Sequence, residues 1–194
     1  MQENYLSSVK KQFAYYKQLG EKTFDQLSDD QLFCQYNPES NSIAIIVKHL
    51  WGNMLSRWTN FLTSDGEKDW RQREAEFDAD VRDRKELIAK WTEGWACLFE
   101  ALNSVHEHNF DKVIYIRNMG HSIVEAINRQ LSHYSYHVGQ IVYLGRMMKG
   151  PEWKSLSIPR GQSSNYNKSR FEQPKRKAHF TDDLIDHDIE NPKA

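Results

Sequence analysis

Apolar side chains recur every three to four residues along four long stretches of this chain, a spacing that admits amphipathic α-helices and little else. Leu6, Val9, Phe13, Tyr16, Phe24 and Leu27 predict a helix over residues 3–27. Ile43, Ile45, Ile46, Leu50, Met54 and Phe61 predict a second, capped by Asn41 or Ser42 and ending near Leu62, where Ser64-Asp65-Gly66 reads as a turn. Leu87, Ile88, Trp91, Trp95, Leu98, Phe99 and Leu102 mark a third, opened by the Asp83/Glu86 capping pattern and ending near Ser104. Ile127, Leu131, Tyr134, Val138, Ile141 and Leu144 mark a fourth, opened by a Ser122/Glu125 capping box and stopped by Gly150-Pro151. Four such helices in 194 residues must bury their stripes against one another. The expected fold is therefore all-α, an antiparallel four-helix bundle forming one domain over residues 1–167. Six Trp, nine Tyr and nine Phe supply large rings for its core.

Shorter features fill the intervals. Ser28 and Gln31 form a capping box for a helical turn from Asp29 to Phe33, before the Asn37-Pro38 break. Residues 65–80 are charged and weakly periodic, which predicts a long exposed connection between the second and third helices, pinned by Trp70 and Phe77. Val113, Ile114, Tyr115 and Ile116 suit a short strand within Lys112–Arg117. From residue 168 a basic run (Lys168, Arg170, Lys175, Arg176, Lys177) gives way to an acidic one (Asp182, Asp183, Asp186, Asp188, Glu190), so residues 168–194 are expected to form a disordered polar tail.

Charge and cysteine content narrow the function classes. With 26 basic and 27 acidic residues the net charge is -1, and no summed field draws in nucleic acid or anionic membrane. The first residues lack the basic-then-apolar layout of a secretory signal, and no apolar run approaches the roughly 18 residues that span a bilayer. The expectation is a soluble cytoplasmic protein with no nucleic-acid or membrane partner. Cys34 and Cys97 stand far apart and outside any CxxC, and read as free thiols.

Chemistry concentrates in the histidines. His133 and His137 lie four residues apart on the fourth helix, one above the other on one face, a spacing that can chelate a single ion. A third nitrogen must come from another helix, and His49, beside Ile45 and Ile46 on the inward face of the second, is the candidate. An i,i+4 pair is often only a polar surface patch, and a lone His on an apolar face is ordinarily a satisfied core residue. Three inward histidines on two helices, however, leave donors and acceptors in need of partners that a metal would supply. Two imidazoles plus a third suit Zn, Ni or Fe, one divalent ion per chain, with a position left open. His106, His108, His121, His179 and His187 fall in loops or tail and read as surface residues. No pair of Glu-x-x-His motifs and no HExxH occurs, which sets aside a di-iron carboxylate bundle and a metalloprotease helix. Asn53, Gln130 and Gln140 lie one turn from the candidate ligands and can orient them by hydrogen bonds. Arg57, two turns beyond His49, and Arg160 can each hold a substrate carboxylate.

The segments IAIIVKHLWGNMLSRWTNFLTSDGEK, RQLSHYSYHVGQIVYLGRMM and WKSLSIPRGQSSNYN, with their H-x-x-x-H-x-G-Q element and upstream His, resemble the DinB/YfiT-like superfamily, in particular its branch with an SIPRG segment. The likeness spans residues 1–167. It implies a four-helix bundle, often a homodimer, with a three-His metal site, and relatives that act as transferases or isomerases on low-molecular-weight thiols. The leading expectation is a metal-dependent enzyme of thiol S-transferase type acting on a small-molecule substrate. The alternatives are a metal-dependent hydrolase using the same site and a non-catalytic metal-binding or stress-response protein.

Overall fold

Each of the internal long helices begins where a side chain can accept the first free backbone N–H groups. In the computed structural model, which describes residues 2–185, Ser42 accepts from the Ile45 N–H at 3.2 Å to open α3 (Ile43–Trp58), the third helix after α1 (Gln2–Phe24) and α2 (Asp29–Phe33). Asp83 accepts from the Glu86 N–H at 2.8 Å to open α4 (Arg84–Asn103), while the Glu86 carboxylate turns back to the Arg82 N–H. Ser122 and Glu125 form a reciprocal box at the start of α5 (Ile123–Lys149), and Ser28 with Gln31 does the same for α2. Gly150, at φ 59°, ends α5 in a conformation other residues rarely adopt, donating its N–H to the Arg146 carbonyl. The fourth long helix is thus bounded as its sequence predicts. Two others stop early. The helix expected to reach Leu27 ends at Phe24 and tightens into i→i+3 hydrogen bonds at Gln26 and Leu27. The one expected to reach Leu62 ends at Trp58, because Asn60 takes a left-handed conformation (φ 52°) and its carbonyl receives the Thr63 and Ser64 N–H groups.

The chain is mostly helical, and α1, α3, α4 and α5 share a single hydrophobic cluster. α3 lies against α4 and α1 against α5. At the first contact Gly94 matters: a Cβ there would stand 3.0 Å from the Met54 sulfur and 3.3 Å from the Trp51 Cα, so glycine sets how closely the two helices approach. The centre of the cluster is aromatic, with Phe13 meeting Trp58 and Trp95 edge-on at 6.3 Å and Trp95 meeting Tyr134 at 5.9 Å. Tyr134 carries the only hydroxyl in this group and is fully buried, accepting from Trp58 Nε1 at 3.0 Å and donating to Asn53 Oδ1 at 3.0 Å. Burial drives its pKa above the ordinary phenol value, so it stays a neutral donor. This chain of hydrogen bonds runs from Trp58 in the aromatic core to the buried polar side chain of Asn53.

The short strand is present as β1 (Val113–Ile116), and it pairs with a second strand, β2 (Met119–Ser122), that has no alternating pattern of its own. Ile114 and Ile116 point inward while Val113 and Tyr115 remain exposed. The two-residue turn between the strands, Arg117-Asn118, has positive φ at both positions (55° and 59°), as a type I′ hairpin requires. Asp65 holds that turn, its carboxylate accepting from the N–H groups of Arg117 at 2.8 Å and Asn118 at 2.9 Å. The Gly66 N–H adds a bond to the Tyr115 carbonyl at 2.8 Å. The connection after α3 is therefore tied to the hairpin.

That connection is only partly the exposed segment its charge suggests. Residues Glu74–Phe77 form a 3₁₀ turn, Glu76 is buried, and the Arg71 side chain is 2% exposed. Phe77 pins it as expected, whereas Trp70 is 55% exposed and does not. Lys48, buried on α3, pairs with Asp80 and donates to the Ala75 carbonyl.

Beyond α5, Lys154 exchanges two hydrogen bonds with Gln26, and α6 (Ser163–Phe171) is exposed throughout. The boundary expected at 167/168 falls inside α6. Of the tail, residues 179–185 lie on α1: His179 bonds Ser8, Asp182 pairs with Lys11 at 2.5 Å, and Thr181 is fully buried. Residues 186–194, including His187, lie outside the described residues. Among those described, no helix is long and apolar enough to cross a membrane.

Candidate metal centre

Helical phase brings the three histidines together. Ile45, Ile46 and Leu50 face the core of α3, and His49, at the same inward phase, is 5% exposed. On α5, Tyr134 and Val138 are fully buried, and His133 and His137, each one residue before them, sit at the half-buried edge of that face. Each offers one ring nitrogen, and these three atoms all lie within 4.8 Å of one another. His133 Nε2 is 3.3 Å from His49 Nε2 and 3.1 Å from His137 Nε2. Three nitrogens at 2.0–2.1 Å from one tetrahedral ion lie about 3.3–3.4 Å apart, close to the two separations from His133, and the third separation lies within 4.8 Å.

The other ring nitrogens decide the tautomers. His49 Nδ1 lies 2.9 Å from Glu76 Oε2, and a carboxylate can only accept, so Nδ1 carries the hydrogen and Nε2 presents a lone pair. His137 Nδ1 lies 2.8 Å from Gln140 Oε1, which orients its Nε2 in the same way. Two lone pairs thus face His133 Nε2, which has at most one proton to give. The cluster fits a cation better than it fits a hydrogen-bonded trio. Burial first, then the neighbouring His137 and His49, push the His133 pKa down to about 3, and burial lowers that of His137. Both stay neutral, the form that binds a metal.

Glu76 was not among the residues the helical spacing points to. It reaches His49 from the 3₁₀ turn, through space left by Gly52, where a Cβ would stand 2.5 Å from Glu76 Oε1. Arg71 grips the same carboxylate with two bonds, Nε to Oε1 at 2.7 Å and Nη2 to Oε2 at 3.0 Å. Burial alone would raise the Glu76 pKa, but the His49 and Arg71 hydrogen bonds outweigh it and hold the group ionised. Phe77 stacks on the His49 ring at 4.8 Å, closing one side of the site. The small residue Gly52, one turn from His49, was the available sign that something must approach there.

The histidines form one wall of a cavity of about 380 Å³, whose lining also includes Asn53, Gln130, Phe77 and five arginines. Arg57 is buried, donating to the Gly66 carbonyl and to Glu67 Oε2 at 3.1 Å, and its Nε has no partner among the described residues. Gln130 is 3% exposed, and its Oε1 likewise has no partner. A family model described as a protein of unknown function (DUF1572) matches residues 1–162. The chain belongs to the DUF1572 family. The matched range holds the three histidines, Glu76 and every cavity arginine, so the whole centre lies within the DUF1572 region. No curated protein and no solved structure matches this DUF1572 chain.

Of the residues singled out by spacing, the structure brings His49, His133, His137, Asn53, Arg57 and Gln130 to this cavity, and sets Gln140 behind His137. Arg160 is exposed on the segment before α6 and does not line it. His106 and His108 stack on each other at 5.6 Å, away from the centre, and His121 lies 3.2 Å from Arg129.

Proposed function

We propose that this DUF1572 protein is a four-helix bundle of DinB/YfiT-like type, a cytoplasmic homodimer in which His49, His133 and His137 hold one divalent ion, and that it is a metal-dependent thiol S-transferase. The observation that carries the metal reading is the convergence of three Nε2 atoms whose partners leave two bare lone pairs facing a third ring. An ion held by these three nitrogens would supply Lewis acidity, which lowers the pKa of a nearby thiol.

The chain's own residues do the rest. Glu76 and Gln140 fix the two ring orientations, Phe77 shields the His49 ring, and the cavity admits the substrate beside the three nitrogens. In the transfer, the thiol sulfur forms a bond to the electrophilic carbon, the leaving group departs with its electron pair, and the thiol proton passes to solvent. Hydrolysis at the same site is less well supported. Among the described residues no carboxylate lines the cavity, and Glu76, the nearest to the histidines, is held by Arg71 and His49 and poorly placed to take a proton from water.

The test is thiol-selective binding with turnover. Calorimetric titration of metal-loaded protein with glutathione and bacillithiol should give saturable binding, weakened at least tenfold for the S-methylated analogues, and thiol consumption should follow when an aryl halide electrophile is added. Equal binding of thiol and S-methyl forms, with no turnover, would contradict the transferase reading.

A further inference from the structure

Five guanidinium groups converge on the cavity from four separate parts of the chain: Arg57 from α3, Arg71 and Arg73 from the connection, Arg117 from the hairpin turn and Arg129 from α5. The carboxylates that answer them are fewer. Glu67 is shared by Arg57 at 3.1 Å, Arg71 at 3.3 Å and Arg117 at 3.2 Å. Glu76 serves Arg71, and Glu74 pairs with Arg73 at an exposed position. Arg129 lies against His121 Nε2 at 3.2 Å and pairs with no carboxylate among the described residues. Five positive groups against three negative ones leave about two positive charges over at the cavity. Like charges gathered at a half-enclosed site repel, and an anionic ligand relieves that repulsion.

Two further observations point the same way. Arg57 lines the cavity and is 7% exposed, and its buried Nε has no hydrogen-bond partner among the described residues. Arg117 occupies a left-handed position (φ 55°) where glycine or asparagine is ordinarily found, so its long cationic side chain stands at the cavity at a backbone cost. The backbone of that turn is in turn fixed by Asp65.

We infer that the arginines beside the three-His centre form a binding site for an oxyanion, a carboxylate or phosphate group of a small organic substrate, with Arg117 and Arg129 as its principal contacts and Arg57 in the lining. Guanidinium groups present paired N–H donors that match two oxygens of either group. A cavity of about 380 Å³ suits a small molecule rather than a macromolecule. The inference rests on the metal reading for where the substrate reacts, and on the arginines alone for its binding.

Calorimetry at constant ionic strength, on full-length protein both metal-loaded and chelator-treated, tests it with succinate, inorganic phosphate and uncharged succinamide. Succinate or phosphate should bind at one per chain even without metal, and succinamide should not. Kd should rise at least tenfold in Arg117→Gln and in Arg129→Gln, recover in part in Arg129→Lys, and stay unchanged in Arg146→Gln, with metal content constant throughout. The tighter of the two anions identifies the group as carboxylate or phosphate. Succinamide binding as well as succinate, or glutamine variants that match the wild type, would overturn the inference. Metal content of the metal-loaded samples separates the two readings: metal retained with no anion bound overturns this inference alone, and anion bound with no metal retained after loading overturns the three-His reading alone.

Discussion

At the scale of single residues, the centre depends on groups that never face the proposed ion. Glu76 fixes the His49 tautomer, and partners of this kind typically account for a 10–100-fold change in metal affinity. Glu76→Gln should therefore weaken zinc binding by about that factor, read by competition with a chromophoric chelator. Its stability cost should stay below the roughly 3–5 kcal/mol of a broken buried pair, because Glu67 still lies 3.3 Å from Arg71. Unchanged affinity would show that His49 needs no such anchor. His133 carries a pH signature. Its folded pKa, about 3, lies below the ordinary 6.5, so below pH 6.5 the unfolded chain takes up a proton that the folded chain refuses. Stability is thus full above pH 6.5 and falls as pH drops toward 3. For metal-free protein at pH 5 the loss amounts to at most about 2 kcal/mol, reduced by partial exposure. Melting curves at pH 7.5 and 5 should show the drop in wild type and a smaller one in His133→Gln. The three histidines were legible in the sequence because helical phase alone puts them on inward faces. Glu76 and Arg71 were not, because an irregular segment has no period from which to read which side chains turn inward.

Among the elements, the connection after α3 and the β1–β2 hairpin act as one unit. Lys48 ties the first to α3, and Asp65 ties the second to the first. Asp65 also accepts from the Glu67 N–H at 2.7 Å, so one carboxylate organises three backbone donors. Asp65→Ala should destabilise the fold by about 1–3 kcal/mol, measured by urea denaturation, with most of the loss at the turn. It should also loosen Arg117, so that succinate binding weakens while metal content holds. A variant as stable as wild type would mean that the Arg117-Asn118 turn holds itself. The long helices were legible down to their caps, since Ser42, Asp83 and Ser122 each do what their position in the sequence implies. The second strand was not: Met119-Gly120-His121-Ser122 has no β pattern, and only pairing with Val113–Ile116 makes it a strand. Trp70 misled for the opposite reason, a large ring that the chain leaves exposed.

For the molecule as a whole, the four long helices bury an aromatic core at one place and carry a polar, cationic cavity at another, and Tyr134 joins the two through Trp58 and Asn53. Composition gave no hint of that polarity, because a net charge of -1 averages over the whole chain, whereas the cavity gathers five arginines against three paired glutamates. The contacts of residues 179–185 with α1 were equally hidden, since a charged segment with few apolar residues gives no period from which to see that Thr181 and Ile185 are buried and Phe180 meets Tyr15. Everything proposed for function turns on whether the three histidines hold one ion. Elemental analysis of protein purified without an affinity tag and loaded with zinc, then gel-filtered, measures this directly. The account predicts one equivalent per chain in wild type and in His106→Ala, and less than about a tenth of that in His49→Ala, His133→Ala and His137→Ala, each shown to be folded by circular dichroism. A full equivalent in folded His133→Ala, or none in wild type, would contradict it.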